Sequence, residues 1–161
     1  MQKTILGISF STRMVGLAVL ESNSLIDYSV KLYKEKWSSA KMDSILTSLT
    51  SAVKHYNITH IVLSIPPIYY QAQPFQELWQ EMSFRLRELK LSVSMSRHDD
   101  LQALVGSEER LSRKLLMDAL VILYPELELY ARIEKRNRNK YYYKMFEAVA
   151  AATLYSRKEE E

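Results

Sequence analysis

The side chains best suited to chemistry with a polyanion lie in one short segment, between positions 132 and 144. This segment has one acid, Glu134, and six basic residues: Arg132, Lys135, Arg136, Arg138, Lys140 and Lys144. The tyrosines Tyr141–Tyr143 lie among them. Lysine and arginine neutralise phosphates and release counterions, and tyrosine rings can stack on unpaired bases. The segment predicts a nucleic-acid surface, with a solvated loop whose tyrosines pack on the core as an equal alternative.

Composition narrows the class of protein. The chain has 161 residues, and we expect positions 1–161 to form a single domain with its own core. It contains no cysteine, which excludes disulfides and thiolate metal sites and suits a reducing cytoplasm. No apolar run approaches the ~20 residues of a membrane span, and the first residues do not resemble a signal peptide. We therefore expect a soluble cytoplasmic protein with no membrane partner.

The apolar patterns predict an antiparallel meander followed by alternating strands and helices. The predicted strands are Thr4–Phe10, Met14–Leu20, Leu25–Tyr33, Ile61–Ile65 and Leu91–Met95. The predicted helices are Ser39–Tyr56, Gln71–Leu89, Asp99–Val105, Leu111–Tyr124 and Phe146–Tyr155. The pair Pro66-Pro67 must end the fourth strand. This order predicts an α/β fold with a five-stranded mixed sheet, three antiparallel strands and then parallel strands, flanked by helices.

Three segments, taken in order, resemble a known family. Ile5–Val19 is a strand, a sharp turn and a second strand, with Gly16 at the matching place. Asp100–Gly106 is a helix ending in glycine, followed by the basic stretch Arg110–Lys114 that opens another helix. Glu147–Ala152 is an acid followed by small residues. This set is similar to the RuvC family of Holliday-junction resolvases, within the ribonuclease H-like superfamily.

The resemblance implies a two-metal nuclease, but most of the acids that such an enzyme needs are missing. Family members hold two divalent ions with carboxylates in the first strand, at the end of the fourth strand and near the start of the last helix. This chain has Ser9, Ser64 and Lys144 at three of these positions, and Glu147 at the fourth. Hydroxyls are poor magnesium ligands, and an ammonium repels a cation. We expect a nuclease-inactive chain with no cofactor, or with Mg²⁺ if activity persists.

A nucleic-acid-binding module is the first of three functional interpretations. Such a module would hold DNA, including branched DNA, without cutting it. The resemblance implies a homodimer, and the helix that begins at Gln71 is expected to contribute to its interface. It also implies that the basic stretch after Gly106 faces DNA. The side chains expected to contact nucleic acid are Arg13, Arg110, Arg113, Lys114, Arg136, Arg138, Lys140 and Tyr142.

Two other functions stay open. One is a divergent magnesium-dependent junction endonuclease that combines Glu147 with relocated acids, for which Asp99, Asp100 and Glu21 are candidates. The first two also lie where helix caps lie, and Glu21 is expected in a turn. The other is a structural or protein-interaction domain that keeps only the fold. A phosphate site at Ser11-Thr12, as in sugar kinases and actin-like ATPases, is weaker because the chain is too short for their two domains.

Overall fold

The computed structural model describes residues 3–11, 13–65, 73–106, 110–138 and 140–160. Within these residues the strands are β1 (Thr4–Phe10), β2 (Met14–Glu21), β3 (Ser24–Leu32), β4 (His60–Ile65) and β5 (Ser92–Arg97). The α-helices are α1 (Ser39–His55), α2 (Gln73–Glu88), α3 (Gln102–Val105), α4 (Arg113–Leu123), α5 (Glu128–Arg136) and α6 (Tyr143–Glu160). The predictions made for Thr12, for Pro66-Pro67 and for a helix start at Gln71 lie outside the described residues. In this part of the chain, no helix is both long and apolar enough to span a membrane.

The strands form one mixed sheet in the order β3-β2-β1-β4-β5. The β1–β2 and β2–β3 pairs are antiparallel, and the β1–β4 and β4–β5 pairs are parallel. Ser22 and Asn23 join β2 to β3 with positive φ angles of 51° and 69°, the conformation of a tight hairpin turn that follows the twist of the sheet. The predicted fold class is therefore confirmed.

Each face of the sheet carries its own hydrophobic core. On one face, α6 covers strand residues such as Ile5, Ala18 and Val62, and α4 packs beside it. On the other face, α1 and α2 cover alternate residues such as Leu6 and Ile8. The period-two alternation along β1 divides its side chains between these two cores. Ile5, Gly7 and Ser9, at alternate positions of β1, therefore face α6.

The apolar stripe of α2 belongs to the core and is not a free dimer face. Phe75 stacks on Phe10 with ring centroids 4.8 Å apart, and the ring of Trp79 is also nearly parallel to that of Phe10, with centroids 6.5 Å apart. Leu78 and Met82 are fully buried. The helical periodicity of the sequence was compatible with this stripe lying either in the core or at a dimer interface. A dimer contact through α2 would have to use its opposite, exposed side.

The two ends of the segment from Arg132 to Lys144 are helical, so the interpretation of the whole segment as one surface loop was only partly correct. Its first part is the end of α5, which follows a 3-10 turn at Pro125–Leu127, and α6 begins at Tyr143. Charged residues dominate α5, and its buried side includes a glutamate, so no apolar period marks it in the sequence. The helix predicted at Asp99–Val105 is also divided, into a 3-10 turn at His98–Leu101 and the short α3.

Candidate functional site

Three buried serines lie side by side across the sheet. In the parallel ladders, Ser9 of β1 is opposite Ser64 of β4, and Ser64 is opposite Ser96 of β5. Residues in register on neighbouring strands point to the same face and are about 4.8 Å apart. The exposed fractions of the three residues are 2%, 3% and 6%. The row lies at the carboxyl ends of the parallel strands, the edge of an α/β sheet that most often binds ligands.

Two glycines let the backbone of α6 rest directly on the sheet beside this row. A Cβ atom on Gly7 would lie 2.1 Å from the carbonyl oxygen of Ala148, and one on Gly16 would lie 2.2 Å from the carbonyl oxygen of Lys144. Neither contact is sterically allowed, so both positions need glycine for close approach. Because Gly16 is also opposite Ser9 in the β1–β2 ladder, the first turn of α6 is placed next to the serines.

The first turn of α6 brings a lysine and a glutamate to Ser9. The Ser9 hydroxyl donates to Oε1 of Glu147 over 3.3 Å, and the Lys144 ammonium lies 3.1 Å from the same oxygen. The side chains of Lys144 and Glu147 are 21% and 8% exposed. The carboxylate is therefore paired inside the protein, which offsets the cost of burying it.

The acid of the basic segment, Glu134, has a structural partner that sequence reasoning missed. Its buried carboxylate accepts the backbone N–H groups of Tyr141, Tyr142 and Tyr143, at 2.9–3.1 Å. These N–H groups belong to the turn that opens α6, where a helix has free donors and a partial positive charge. The Lys140 ammonium also donates to the backbone carbonyl of Glu134 over 2.8 Å. The start of α6 is thereby fixed to α5.

Comparisons with known proteins match the fold and not the sequence. No protein-family model matches the chain, and no curated protein matches it. Among solved structures, Thermus thermophilus RuvC covers 97% of this chain and 96% of its own, with a TM-score of 0.71 and 9% identity. The chain has a RuvC-like resolvase fold. A structure of T. thermophilus RuvC in complex with a Holliday junction substrate covers 97% of this chain and 96% of its own, with a TM-score of 0.69 and 8% identity.

A viral resolvase structure is also similar to this chain over its whole length. Fowlpox virus resolvase, in complex with substrate Holliday junction DNA, covers 98% of this chain and 99% of its own, with a TM-score of 0.60 and 10% identity. Full coverage of both chains in each case means that the RuvC-like fold accounts for the described elements from β1 to α6. Identities this low carry over no residue roles.

The polar site of this RuvC-like fold does not fit a divalent metal centre. Among the described residues, no group of three or more His, Asp or Glu side chains could hold a metal ion. Magnesium requires several hard oxygen ligands, and the site offers one carboxylate that is already paired with the Lys144 ammonium. The Ser9 hydroxyl donates its proton to that carboxylate, so it also serves Glu147. The donor set at this site is that of an internal ion pair.

Two acids considered for a relocated metal site, Asp100 and Glu21, do not contribute to one: Asp100 caps a turn, and Glu21 lies far from Ser9. Asp100 accepts the backbone N–H of Arg97 over 2.9 Å and so caps the 3-10 turn after β5, as its position predicted. Glu21 is the last residue of β2, opposite Thr4, and not a turn residue as expected. Five residues of extended strand separate Thr4 from Ser9, a distance of roughly 17 Å.

The two groups of basic residues meet where α4 and α6 begin. The Arg113 guanidinium lies 4.9 Å above the ring of Tyr143, the first residue of α6. Burial of that ring raises the pKa of Tyr143, the nearby charge of Glu147 adds to the effect, and Arg113 opposes it. Arg110 and Lys114 flank Arg113 and are exposed. The basic start of α4 thus lies beside the turn that carries Lys144.

The remaining predicted contact residues are partly engaged within the protein. Tyr142 is half-buried, with its ring edge-on to Tyr130 at 5.0 Å and to Tyr141 at 4.9 Å, so it packs on its neighbours as the alternative interpretation expected. Lys140 is half-buried. Arg13, Arg136 and Arg138 are exposed. The Ser11 hydroxyl accepts the backbone N–H groups of Arg13 and Met14, so it closes the β1–β2 turn instead of presenting a phosphate site.

Proposed function

We propose that this RuvC-like chain binds nucleic acid, branched DNA in particular, without hydrolysing it. The observation that carries the proposal is the ion pair between Lys144 and Glu147 at 3.1 Å, because it occupies the place where a resolvase would need free carboxylates. Two solved complexes with a similar fold, from Thermus thermophilus and Fowlpox virus, contain Holliday junction DNA. The absence of cysteine suits action in the cytoplasm.

Charge supports binding in this proposal. Exposed Arg110, Arg113 and Lys114 lie at the start of α4, which contacts the start of α6 through Arg113 and Tyr143. The other residues assigned to the surface are Arg13, Arg136, Arg138, Lys140 and Tyr142. Together they form what we call the basic surface. A local cluster of cations such as Arg110, Arg113 and Lys114 can bind a polyanion even when the net charge is only +3.

The same proposal excludes two-metal hydrolysis on chemical grounds. Catalysis of that kind needs ions that stabilise both the attacking and the leaving oxygen. A second ion close to Lys144 would meet like charge, and replacing carboxylates by Ser9 and Ser64 removes the negative charge that holds such ions. We therefore assign Glu147 a positioning role at this site, not a catalytic one.

A homodimer completes the proposed function. The side of α2 that faces away from the core carries Phe84, which is 60% exposed, beside Ser83 and Arg87. An exposed aromatic ring on a helix face is suited to pairing with a second copy of the same helix. Sedimentation of the purified chain tests this assignment: a concentration-dependent dimer that Phe84→Glu converts to a monomer supports it, and a monomer at all concentrations contradicts it.

Titration of a labelled four-way junction with the purified chain tests the binding function. We expect micromolar or tighter binding to the junction, weaker binding to duplex of the same length, and a steep loss of affinity as salt rises. Replacing Arg110, Arg113 and Lys114 by glutamine should weaken binding, whereas replacing Lys34 and Lys36, exposed in the segment after β3, should have little effect. Absent or salt-insensitive binding would favour a protein-interaction domain.

Incubation of the junction with Mg²⁺ or Mn²⁺ tests the absence of cleavage. No product is expected even with the protein in excess over DNA. A cleavage product that disappears in Glu147→Ala would instead establish a divergent endonuclease.

A further inference from the structure

At the carboxyl edge of the sheet, some buried polar groups have no hydrogen-bond partner within the described part of the chain. Among the described residues, three buried polar side-chain atoms lack a hydrogen-bond partner: the Ser83 hydroxyl oxygen of α2, the Ser96 hydroxyl oxygen and the Nδ1 atom of His98. The last two lie at or just after the carboxyl end of β5. Ser96 is 6% exposed and continues the row of Ser9 and Ser64 on the face covered by α6. A buried hydroxyl without a partner is destabilising, so such a group is expected where a ligand or water supplies the missing bond.

The Lys144 ammonium also has more N–H donors than its contact with Glu147 uses. It carries three N–H donors, and Glu147 is its one partner among the described residues. Its side chain is 21% exposed, whereas that of Glu147 is 8% exposed. A group that approaches from solvent therefore meets the ammonium, while the carboxylate is directed to Ser9 and Lys144. The site therefore presents a partly exposed cation beside a buried row of hydroxyls.

From these two observations we propose that Lys144 replaces the divalent cation of the site and binds a backbone phosphate of nucleic acid. The Ser64 and Ser96 hydroxyls donate to the phosphate oxygens. This inference rests on the proposed nucleic-acid function and adds to it a defined phosphate site that works without metal. A fixed ammonium holds a phosphate as a point charge and cannot activate water, so the group is bound and not hydrolysed.

Charge-matched variants separate this contact from general electrostatics. The effect of Lys144→Gln is measured in the Glu147→Gln background, so that neither variant leaves a buried carboxylate without its cation. The matched control is Lys3→Gln in the Glu159→Gln background, because Lys3 and Glu159 form an ion pair 2.8 Å apart near the other end of α6. Glu147 and Glu159 are separated by about 18 Å along the helix. Both comparisons remove one positive charge.

Fluorescence anisotropy with a labelled four-way junction gives the readout. We expect Glu147→Gln to bind at least as tightly as the wild type, because the ammonium is released from its partner. Adding Lys144→Gln should then weaken binding by about tenfold and reduce the slope of log Kd against log salt by about one. The Lys3 control should change neither quantity. Ser96→Ala should weaken binding without changing the slope, because it removes no charge.

The dependence on metal provides a second test that needs no variant. Wild-type affinity should be the same in EDTA and in MgCl₂ at matched ionic strength. Electron paramagnetic resonance of Mn²⁺ should show no ion bound to the DNA-free protein with a Kd below the order of 1 mM. Bound Mn²⁺ that is lost in Glu147→Gln would overturn the inference.

These outcomes distinguish the inference from the proposed function. If the wild type binds the junction but Lys144→Gln in the Glu147→Gln background leaves Kd and slope unchanged, the phosphate site is wrong and the binding function stands. If the wild type binds no nucleic acid under any salt condition, both are wrong.

Discussion

The Oε2 atom of Glu134 accepts the backbone N–H of Tyr143 over 2.9 Å, which joins the last turn of α5 to the first residue of α6. The turn that carries Lys144 and Glu147 is thus fixed at its start by a buried carboxylate nine residues earlier. The same carboxylate accepts the N–H groups of Tyr141 and Tyr142. Glu134 is a positioning residue for the polar site, because it acts through the backbone that leads into it.

Glu134→Ala should lower the free energy of unfolding by about 2–4 kcal/mol, because three backbone donors lose their acceptor at a buried helix start. Glu134→Gln keeps one carbonyl acceptor and should cost less. Urea unfolding monitored by circular dichroism measures both. Glu128→Ala, which removes an exposed glutamate of the same helix that is ion-paired with Arg132, is the control and should change stability by about 0.5 kcal/mol or less.

Gly16→Ala should prevent α6 from resting on β2. The new Cβ would meet the carbonyl oxygen of Lys144 at 2.2 Å, and backbone cannot move aside as a flexible side chain can. We expect a loss of about 3 kcal/mol or more, or failure to fold. Gly106→Ala is the comparison: its Cβ has nothing within 4 Å, so only its positive φ of 92° opposes the change. Equal thermal stability of the two variants would contradict the close approach of α6.

Lys144→Gln alone should destabilise the protein more than Lys144→Gln combined with Glu147→Gln. The single change leaves a largely buried carboxylate without its cation, whereas the double change leaves two neutral amides. A double-mutant cycle in urea measures the coupling, which we expect to be about 1–3 kcal/mol. Coupling near zero would mean that the pair does not hold the first turn of α6. The exposed pair of Lys3 and Glu159 should show the near-zero value of a surface ion pair.

Stability should fall as pH rises above about 10, in part because of Tyr143. Burial raises the pKa of this phenol, and the charge of Glu147 adds to the effect. In the unfolded chain the group titrates near its usual value of about 10. Between the two values the unfolded state binds fewer protons than the folded state, so unfolding becomes more favourable with increasing pH. The contribution is complete below pH 10 and is lost as pH rises through the folded pKa.

Comparison of the wild type with Tyr143→Phe measures this contribution. The difference in unfolding free energy between the two should change in favour of the variant as pH rises from 8 to about 11. A pH-independent difference over this range would show that the Tyr143 ring does not resist ionisation. Tyr124, whose pKa burial also raises, is left unchanged in both proteins.

Local patterns were sufficient to predict most of the fold. Apolar residues placed all five strands, because alternation and β-branched residues act over a few neighbours. Ser38 and Ser112 accept backbone N–H groups at the starts of α1 and α4, close to the predicted starts of both helices. The order of strands also limited the topology to a mixed sheet. The resemblance in three short segments then named the fold that the solved structures match.

The alternation of serines at positions 92, 94 and 96 was a signal that sequence reasoning missed. It places hydroxyls on one face of β5, where a helix-covered sheet normally has apolar side chains. Read beside Ser9 and Ser64, it would have predicted a polar row across the sheet. Glu134 left no such signal, because a carboxylate nine residues before a helix matches no local cap motif.

The amino-acid sequence by itself determined the five strands, most of the helices, and the replacement of acids by Ser9, Ser64 and Lys144. That Gly7 and Gly16 admit the backbone of α6 followed from the packed structure. Only the tertiary structure decided that Lys144 neutralises Glu147, that Glu134 holds the start of α6, and that Tyr142 packs inward. The physical reason is the separation along the sequence of the residues that interact. Secondary structure follows from neighbours a few residues apart, whereas a buried charge takes whichever partner the packed chain brings within about 3 Å, and the Ser9–Glu147 partners are separated by 138 positions.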